Sequence, residues 1–389
     1  LNMRLPDERL GDLNAQIAAV KIGVKRLGEM VARHGADHLV VLCDEIVSRT
    51  NLRMRNAIAR IPDGDYGFAD VMDDDGLGTE DVRIALTIRK TGEKIVFDFT
   101  GTSAQVPGNF NMTLNTTKSA VCYALKALLD PEVPNNQGIF DAIEIVAEPG
   151  SFVNCAHPAG VAMRANSCQR VVDVVLGAFA DALPDRVVGA ANGANTSAVF
   201  AGTDPQTGNS YVYLETLGGG MGARAAKDGK DGVQVHITNT ANLPVEAIEL
   251  EYPLRVEEYS LIPDSGGAGR YRGGMGIRRA IRPIGHLCEF NGVGERFRHQ
   301  PWGVFGGKPG ATGEFYLRNG DGTSRDLPSK VTGVFVPEET VVVIETPGAG
   351  GYGDPAERAP EAIAEDLASG KFTQDFIDRH YRPAGGAQE

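Results

Sequence analysis

A chain of 389 residues, 42% hydrophobic and 23% charged, is long enough for a large core in one domain or two. Its 51 Asp and Glu against 38 Lys and Arg give a formal net charge of −13, which disfavours phosphate backbones and anionic membrane surfaces as partners. No apolar run reaches the ~18 residues of a membrane span, and no signal-peptide pattern opens the chain.

The opening segment reads as a long helix. Leu10, Leu13, Ile17, Val20, Val24, Leu27 and Val31 follow a 3-4-3-4 spacing that lines one face. Pro6 and Asp7 suit its first turn and Gly35 its end. A second helix is expected from about Asp37 to Arg60, stopped by Pro62. The plain reading of this pair (residues 1–62) is an antiparallel helical hairpin packed on its own core. The other is a coiled-coil seam to a partner subunit.

From Val82 the apolar period becomes two: Val82, Ile84, Leu86 and Ile88, then Ile95, Phe97 and Phe99 after a turn at Lys90–Glu93 predict a β-hairpin. Helices follow over Thr116–Leu129 and Ser167–Leu183, each ended by a proline. Beyond Tyr211 the chain becomes short strands broken by glycine as far as Ile344, and two short helices, Pro360–Ser369 and Thr373–Tyr381, lead to a Gly/Ala tail as a surface appendage. The sum is a mixed α/β (α+β), β-rich fold. Its expected divisions are an α/β core with the site over residues 63–260, a Gly-rich β region over 261–356 and a helical tail over 357–389.

The 49 glycines exceed the usual ~7% share and concentrate in Asp264–Gly276, Pro301–Gly310 and Thr346–Pro355, where left-handed turns or close backbone approach are needed. Five scattered cysteines without a C-x-x-C pair fit a reducing cytoplasm. The first residue is Leu1 rather than Met, which points to a fragment or a processed product.

Four segments carry candidate chemistry. Asp98-Phe-Thr100-Gly101-Thr-Ser103, with Asn109 beyond it, ends a strand in hydroxyls and backbone N–H groups that suit an anionic or carbonyl oxygen, or else forms a plain Asx/Ser-Thr turn. Arg164, Asn166 and Gln169 surround a helix N-terminus that favours phosphate or carboxylate, with an N-cap at Asn166 or Ser167 as the structural alternative. Glu215 precedes Gly218-Gly219-Gly220 and Arg224, so it is the leading general-base candidate beside a mobile lid or a loop that lets substrate approach the backbone. His236, with Asn239 after it and Glu246 and Glu249 three apart beyond, is the second proton-transfer candidate or a metal ligand, against the alternative of a structurally satisfied histidine. Cys155-Ala-His157 lacks further zinc ligands, Asp73–Gly76 is not an EF-hand loop, and no phosphate-binding P-loop occurs.

Several ordered motifs together resemble the hydantoinase B/oxoprolinase family: Asn2-Met-Arg-Leu-Pro6, Asp98–Ser103, Gln169–Gly177, His236-Ile-Thr-Asn-Thr240, Ser265–Gly276 and Thr346–Pro355. That resemblance implies a B-type subunit of an ATP-dependent cyclic-amide hydrolase, with ATP bound by an A-type, actin-like ATPase partner. It also implies a cytoplasmic hetero-oligomer that completes a phosphorylated lactam or imide. Family members carry a further N-terminal stretch, in which the resemblance places a divalent metal; no metal ligand is therefore assigned to this chain. An acetone- or acetophenone-type ketone carboxylase subunit and a non-catalytic assembly subunit are the alternatives.

Overall fold

The computed structural model describes residues 6–381. The Asn2–Leu5 part of the first motif and the Gly/Ala tail lie outside the described residues. Helices α1 (Pro6–His34) and α2 (Ala36–Ile58) meet at Gly35, whose φ of 80° breaks the helix. This pair has no core of its own. No residue of α1 is buried, and α2 is buried only near its end, at Thr50, Met54 and Ile58.

Strands β1 (Gly64–Asp74), β2 (Glu80–Thr91) and β3 (Lys94–Asp98) form an antiparallel meander, which contains the expected hairpin. After α3 (Leu114–Leu129) and α4 (Gln137–Phe140), β4 (Glu144–Val146) joins β3 in parallel, giving the order β1-β2-β3-β4. Thr113 caps α3, its side chain accepting from the Thr116 N–H. Helix α5 (Arg164–Ala178) starts three residues before the expected position, with Met163 as its N-cap and no side-chain cap bond. The side chains of Asn166 and Ser167 are turned to other partners: Asn166 accepts from Asn195 N–H at 2.7 Å and Ser167 donates to Phe110 C=O at 2.5 Å. From Asn166 onward α5 is wholly buried, packed against α3 and the β1–β2 face in one apolar core.

The remaining strands build two further sheets. One has the order β12-β9-β5-β6, from β5 (Thr196–Thr203), β6 (Ser210–Leu217), β9 (Cys288–Val293) and β12 (Lys330–Val336). The other has the order β11-β10-β13-β8-β7, from β7 (Leu254–Leu261), β8 (Ile277–Pro283), β10 (Glu314–Arg318), β11 (Ser324–Leu327) and β13 (Val341–Glu345). Phe200 and Phe290 of the first sheet meet Ile281, Phe315 and Ile344 of the second in a shared apolar core, as in a β-sandwich. A short helix, α6 (Val245–Glu251), leads into β7.

Helices α7 (Pro360–Ala368) and α8 (Gln374–His380) are docked, not a loose appendage. Phe372, Ile377 and Tyr381 are buried with Ala268 and Met275, while Asp366 bonds both Arg272 and Arg358 at 2.6–3.0 Å. The Gly-rich segments interleave here. Gly267 N–H reaches Ala349 C=O, Gly274 N–H reaches Met221 C=O, and Gly220 N–H reaches Pro347 C=O, at 2.8–3.0 Å. A Cβ on Gly222 would overlap the Gly189 carbonyl, and one on Gly273 the Ala349 carbonyl. Glycine is needed there because backbones stack without side chains between them.

Candidate functional site

Helix α5 places two charges inside an apolar run. Arg170 and Asp173 are both 0% exposed amid Val171, Val172, Val174 and Val175. Buried charge survives only where it is paired and hydrogen-bonded, and the pairing here spans the molecule. Arg170 reaches Val71 C=O and, at 3.3 Å, Glu295, which Lys330 also meets at 2.5 Å. Arg296 bridges Asp70 at 2.8 Å and Asp173 at 2.9 Å, and Trp302 Nε1–H donates to Asp70. Burial alone would raise the Asp173 carboxyl, but the His236 hydrogen bond and the nearby positive charges outweigh it and hold it below the ordinary carboxylate range.

The network ends at His236, whose Nε2 lies 2.8 Å from Asp173 Oδ1. An ionised carboxylate can only accept, so Nε2 carries a proton, and it is Nδ1 that bears the lone pair in the neutral imidazole. Among the described residues Nδ1 has no hydrogen-bond partner. His236 and Arg296, the two basic partners of Asp173, both hold left-handed backbone, with φ of 50° and 63°. That conformation costs about 1–2 kcal/mol for an L-residue, and the surroundings enforce it. Gln169 Nε2–H donates to Val235 C=O at 3.2 Å and to Thr238 Oγ1 at 2.5 Å, clamping the segment on both sides of His236.

His236 lines a cavity of about 430 Å³ between α3, α5 and the segment from Met221 to His236. Its walls are mainly apolar, with Tyr123, Ala127, Leu176, Val188 and Met221 among them, while Arg224 and Arg186 bring guanidinium groups and Asp185 a carboxylate. Arg224 is half-buried, bonds only Asp228 C=O at 2.9 Å, and leaves its buried Nε without a partner. No carboxylate pairs with it among the described residues, so its charge is available to an anion. Imidazole, guanidinium and an apolar wall are together the groups that acid–base chemistry on a small, partly apolar, anion-bearing molecule would require.

The sequence candidates fall into separate places. His236 and Arg224 meet in this cavity, while Gln169 and Asn166 support the loops around it without lining it. Asn239 and Gly218 line a neighbouring hollow of about 480 Å³ that shares Gln234 with the first. Asp98, Thr100, Gly101 and Ser103 lie elsewhere, tied to β2. Asp98 pairs with Arg89 at 2.7 Å and accepts from Thr100 N–H, Gly101 C=O faces Arg83, and Ser103 Oγ accepts from Arg83 N–H. That is the turn chemistry of the structural alternative. Asn109 C=O accepts from Met163 N–H, and exposed Arg164 reaches only Val161 C=O at 3.2 Å.

Two placements correct the expectation. Glu215 sits 5% exposed inside the sandwich, with Oε1 2.7 Å from Arg279 and Oε2 2.7 Å from Tyr213 OH, so both its oxygens are engaged in the core and it is not presented at an open strand end. Gly219 and Gly220 donate their N–H groups to Val233 C=O and Pro347 C=O, both at 3.0 Å, so they form a packed junction in place of a lid or a phosphate cradle. Thr100, Arg164 and Glu215 share no hydrogen-bond partner and no described cavity. Asp173, Arg296 and Tyr123 were missed; an aspartate within the Val-Val-Asp-Val-Val run of Gln169–Gly177 was the signal that could have flagged the first. Among the described residues no group of three or more His, Cys, Asp or Glu side chains could hold a metal ion.

Residues 1–355 match the hydantoinase B/oxoprolinase family, and the chain belongs to it. It is 34% identical, over 96% of its length, to a Pseudomonas sp. (strain NS671) protein provisionally named as the B-type component of a D-/L-hydantoinase, of which it covers 64%. The fold superposes on the ATP-dependent caprolactamase of Pseudomonas jessenii with a TM-score of 0.88 at 26% identity, covering 100% of this chain and 68% of that one. On an acetone carboxylase in its nucleotide-free structure the TM-score is 0.81 at 18% identity, covering 92% and 54%, a likeness of fold alone. The chain thus spans about two thirds of the length of some curated relatives it matches, and 27% of others, among them the 5-oxoprolinase 1 of Arabidopsis thaliana. No described helix is long and apolar enough to cross a membrane.

Proposed function

We propose that this chain is the B-type part of an ATP-dependent cyclic-amide hydrolase, working with an A-type ATPase, and that the His236 cavity receives the activated ring. The observation that carries the reading is the buried Asp173 holding His236 by Nε2 at the edge of an apolar cavity that also contains Arg224. An amide carbonyl resists water until its oxygen is phosphorylated, and ATP on the partner supplies that activation. Arg224 would hold the anionic group. Water adds to the activated carbonyl carbon, gives a proton to His236 Nδ1, and the imidazolium passes it to the ring nitrogen; the hydroxyl proton of the adduct follows by the same route as the carbonyl re-forms and the C–N bond breaks. The acyl phosphate left behind takes a second water and releases phosphate. Asp173 stabilises the transient imidazolium and fixes the tautomer.

The test is reconstitution of the full-length protein with an A-type partner. ATP hydrolysis is followed on adding 5-oxoproline, a hydantoin, a lactam, or a ketone with bicarbonate. Stimulation by a cyclic amide with ring opening is expected. Stimulation only by ketone with bicarbonate would make the chain a carboxylase component, and an intact complex silent to all four would make it an assembly component.

A further inference from the structure

Helix α1 alone among the described helices buries none of its residues. Its seam is fully apolar, yet Leu10, Leu13, Ile17, Val20, Val24 and Leu27 are 44–69% exposed. Interior glycines at 11, 23 and 28 each cost a helix about 1 kcal/mol, so this helix is not sustained by propensity. The 3-4-3-4 spacing is that of a coiled-coil seam, which is stable only when a second helix covers it.

We infer that the seam is covered by α1 of a second copy of this chain, running antiparallel. Charge selects this occupant. Residues 6–20 carry Asp7, Glu8 and Asp12 against Arg9, whereas residues 21–34 carry Lys21, Lys25, Arg26 and Arg33 against Glu29. An antiparallel pair lays the acidic half of each helix on the basic half of the other; a parallel pair stacks like on like. The register is self-consistent under a two-fold axis. Leu10 faces the partner's Leu27, Leu13 faces the partner's Val24, and Ile17 faces the partner's Val20, so every layer is apolar. At the flanks Gln16 falls beside the partner's Gly23 and Asn14 beside the partner's Lys21, with no like charges opposed. The intrahelical pairs Arg9–Asp12 and Arg26–Glu29, at 2.8 and 2.9 Å, lie off the seam. This inference is independent of the cavity and its chemistry.

The full chain is used for the test, with exposed Cys43 changed to Ser. Leu13→Cys and Val24→Cys variants are purified apart, mixed and oxidised. A disulfide-linked dimer should form in the mixture and in neither variant alone. In analytical ultracentrifugation the unsubstituted chain should sediment as a dimer, and an Ile17→Asp, Val20→Asp double variant at half that mass. Near-UV circular dichroism of Trp302, in the body of the molecule, should be unchanged and shows that the variant remains folded. A monomeric parent chain overturns the inference. So does a dimer that survives the double substitution, or self-linking of Val24→Cys, the mark of a parallel pair.

Discussion

Inside the sandwich, Glu215 meets Arg279 and Tyr213 and both its oxygens are engaged; at the cavity wall, Asp173 holds His236 by one ring nitrogen and leaves the other free. Both sites bury a carboxylate against a cation, and they differ in what remains unspent. The Glu215 site is closed on every side, with Arg279 also lying over the Tyr259 ring at 4.1 Å. The Asp173 site passes its charge through a residue that keeps a lone pair at the edge of a hollow. Of the two buried carboxylates, only Asp173 has a partner with a second face turned toward a cavity.

The largest test of the contrast is Glu215→Ala. It strands the Arg279 guanidinium in the core and should cost about 3–5 kcal/mol of stability, read as a lowered urea midpoint, with turnover per folded molecule unchanged. A loss of turnover without loss of stability would break the comparison. Next is Gly222→Ala, where the new methyl meets the Gly189 carbonyl beside the cavity. Overpacking at this backbone junction should cost about 1–3 kcal/mol in the same assay, and an unchanged midpoint would mean that the junction yields.

The smallest effect is in acid. Asp70 and Asp173 are both held below the ordinary carboxylate range in the folded chain, since burial, which would raise them, is outweighed by Arg296 and Arg170 at Asp70 and by His236 and Arg296 at Asp173. Carboxyls depressed by folding contribute stability that is complete above the unfolded value of about 3.9 and is lost as pH falls toward their folded values. The urea midpoint should therefore drop below pH ~4, less steeply in Asp173→Asn. Equal slopes would remove Asp173 from the linkage.

Much of the fold was legible because it rests on local periodicity. Val82–Ile88 alternates and pairs as expected, the Thr116–Leu129 stretch is helical, and Pro360 and Thr373 start their helices. His236 and Arg224 were legible as chemical types. Their shared cavity was not, because the partners come from distant segments: Asp173 from α5 and Arg296 from the loop after β9. Glu215 misled for a related reason. A glutamate before three glycines looks like a strand end at an open loop, yet Arg279 arrives from the facing sheet to seal it. The glycines told of close backbone approach, but not that the backbone they approach is the protein's own.

Whether His236 or Glu215 moves the proton is decided by turnover of the reconstituted complex carrying His236→Gln beside one carrying Glu215→Gln. With His236 as the proton carrier, kcat falls on the order of 10²–10⁴-fold in the first and stays at the parent value in the second. Parent-level turnover with glutamine at 236 would contradict that role.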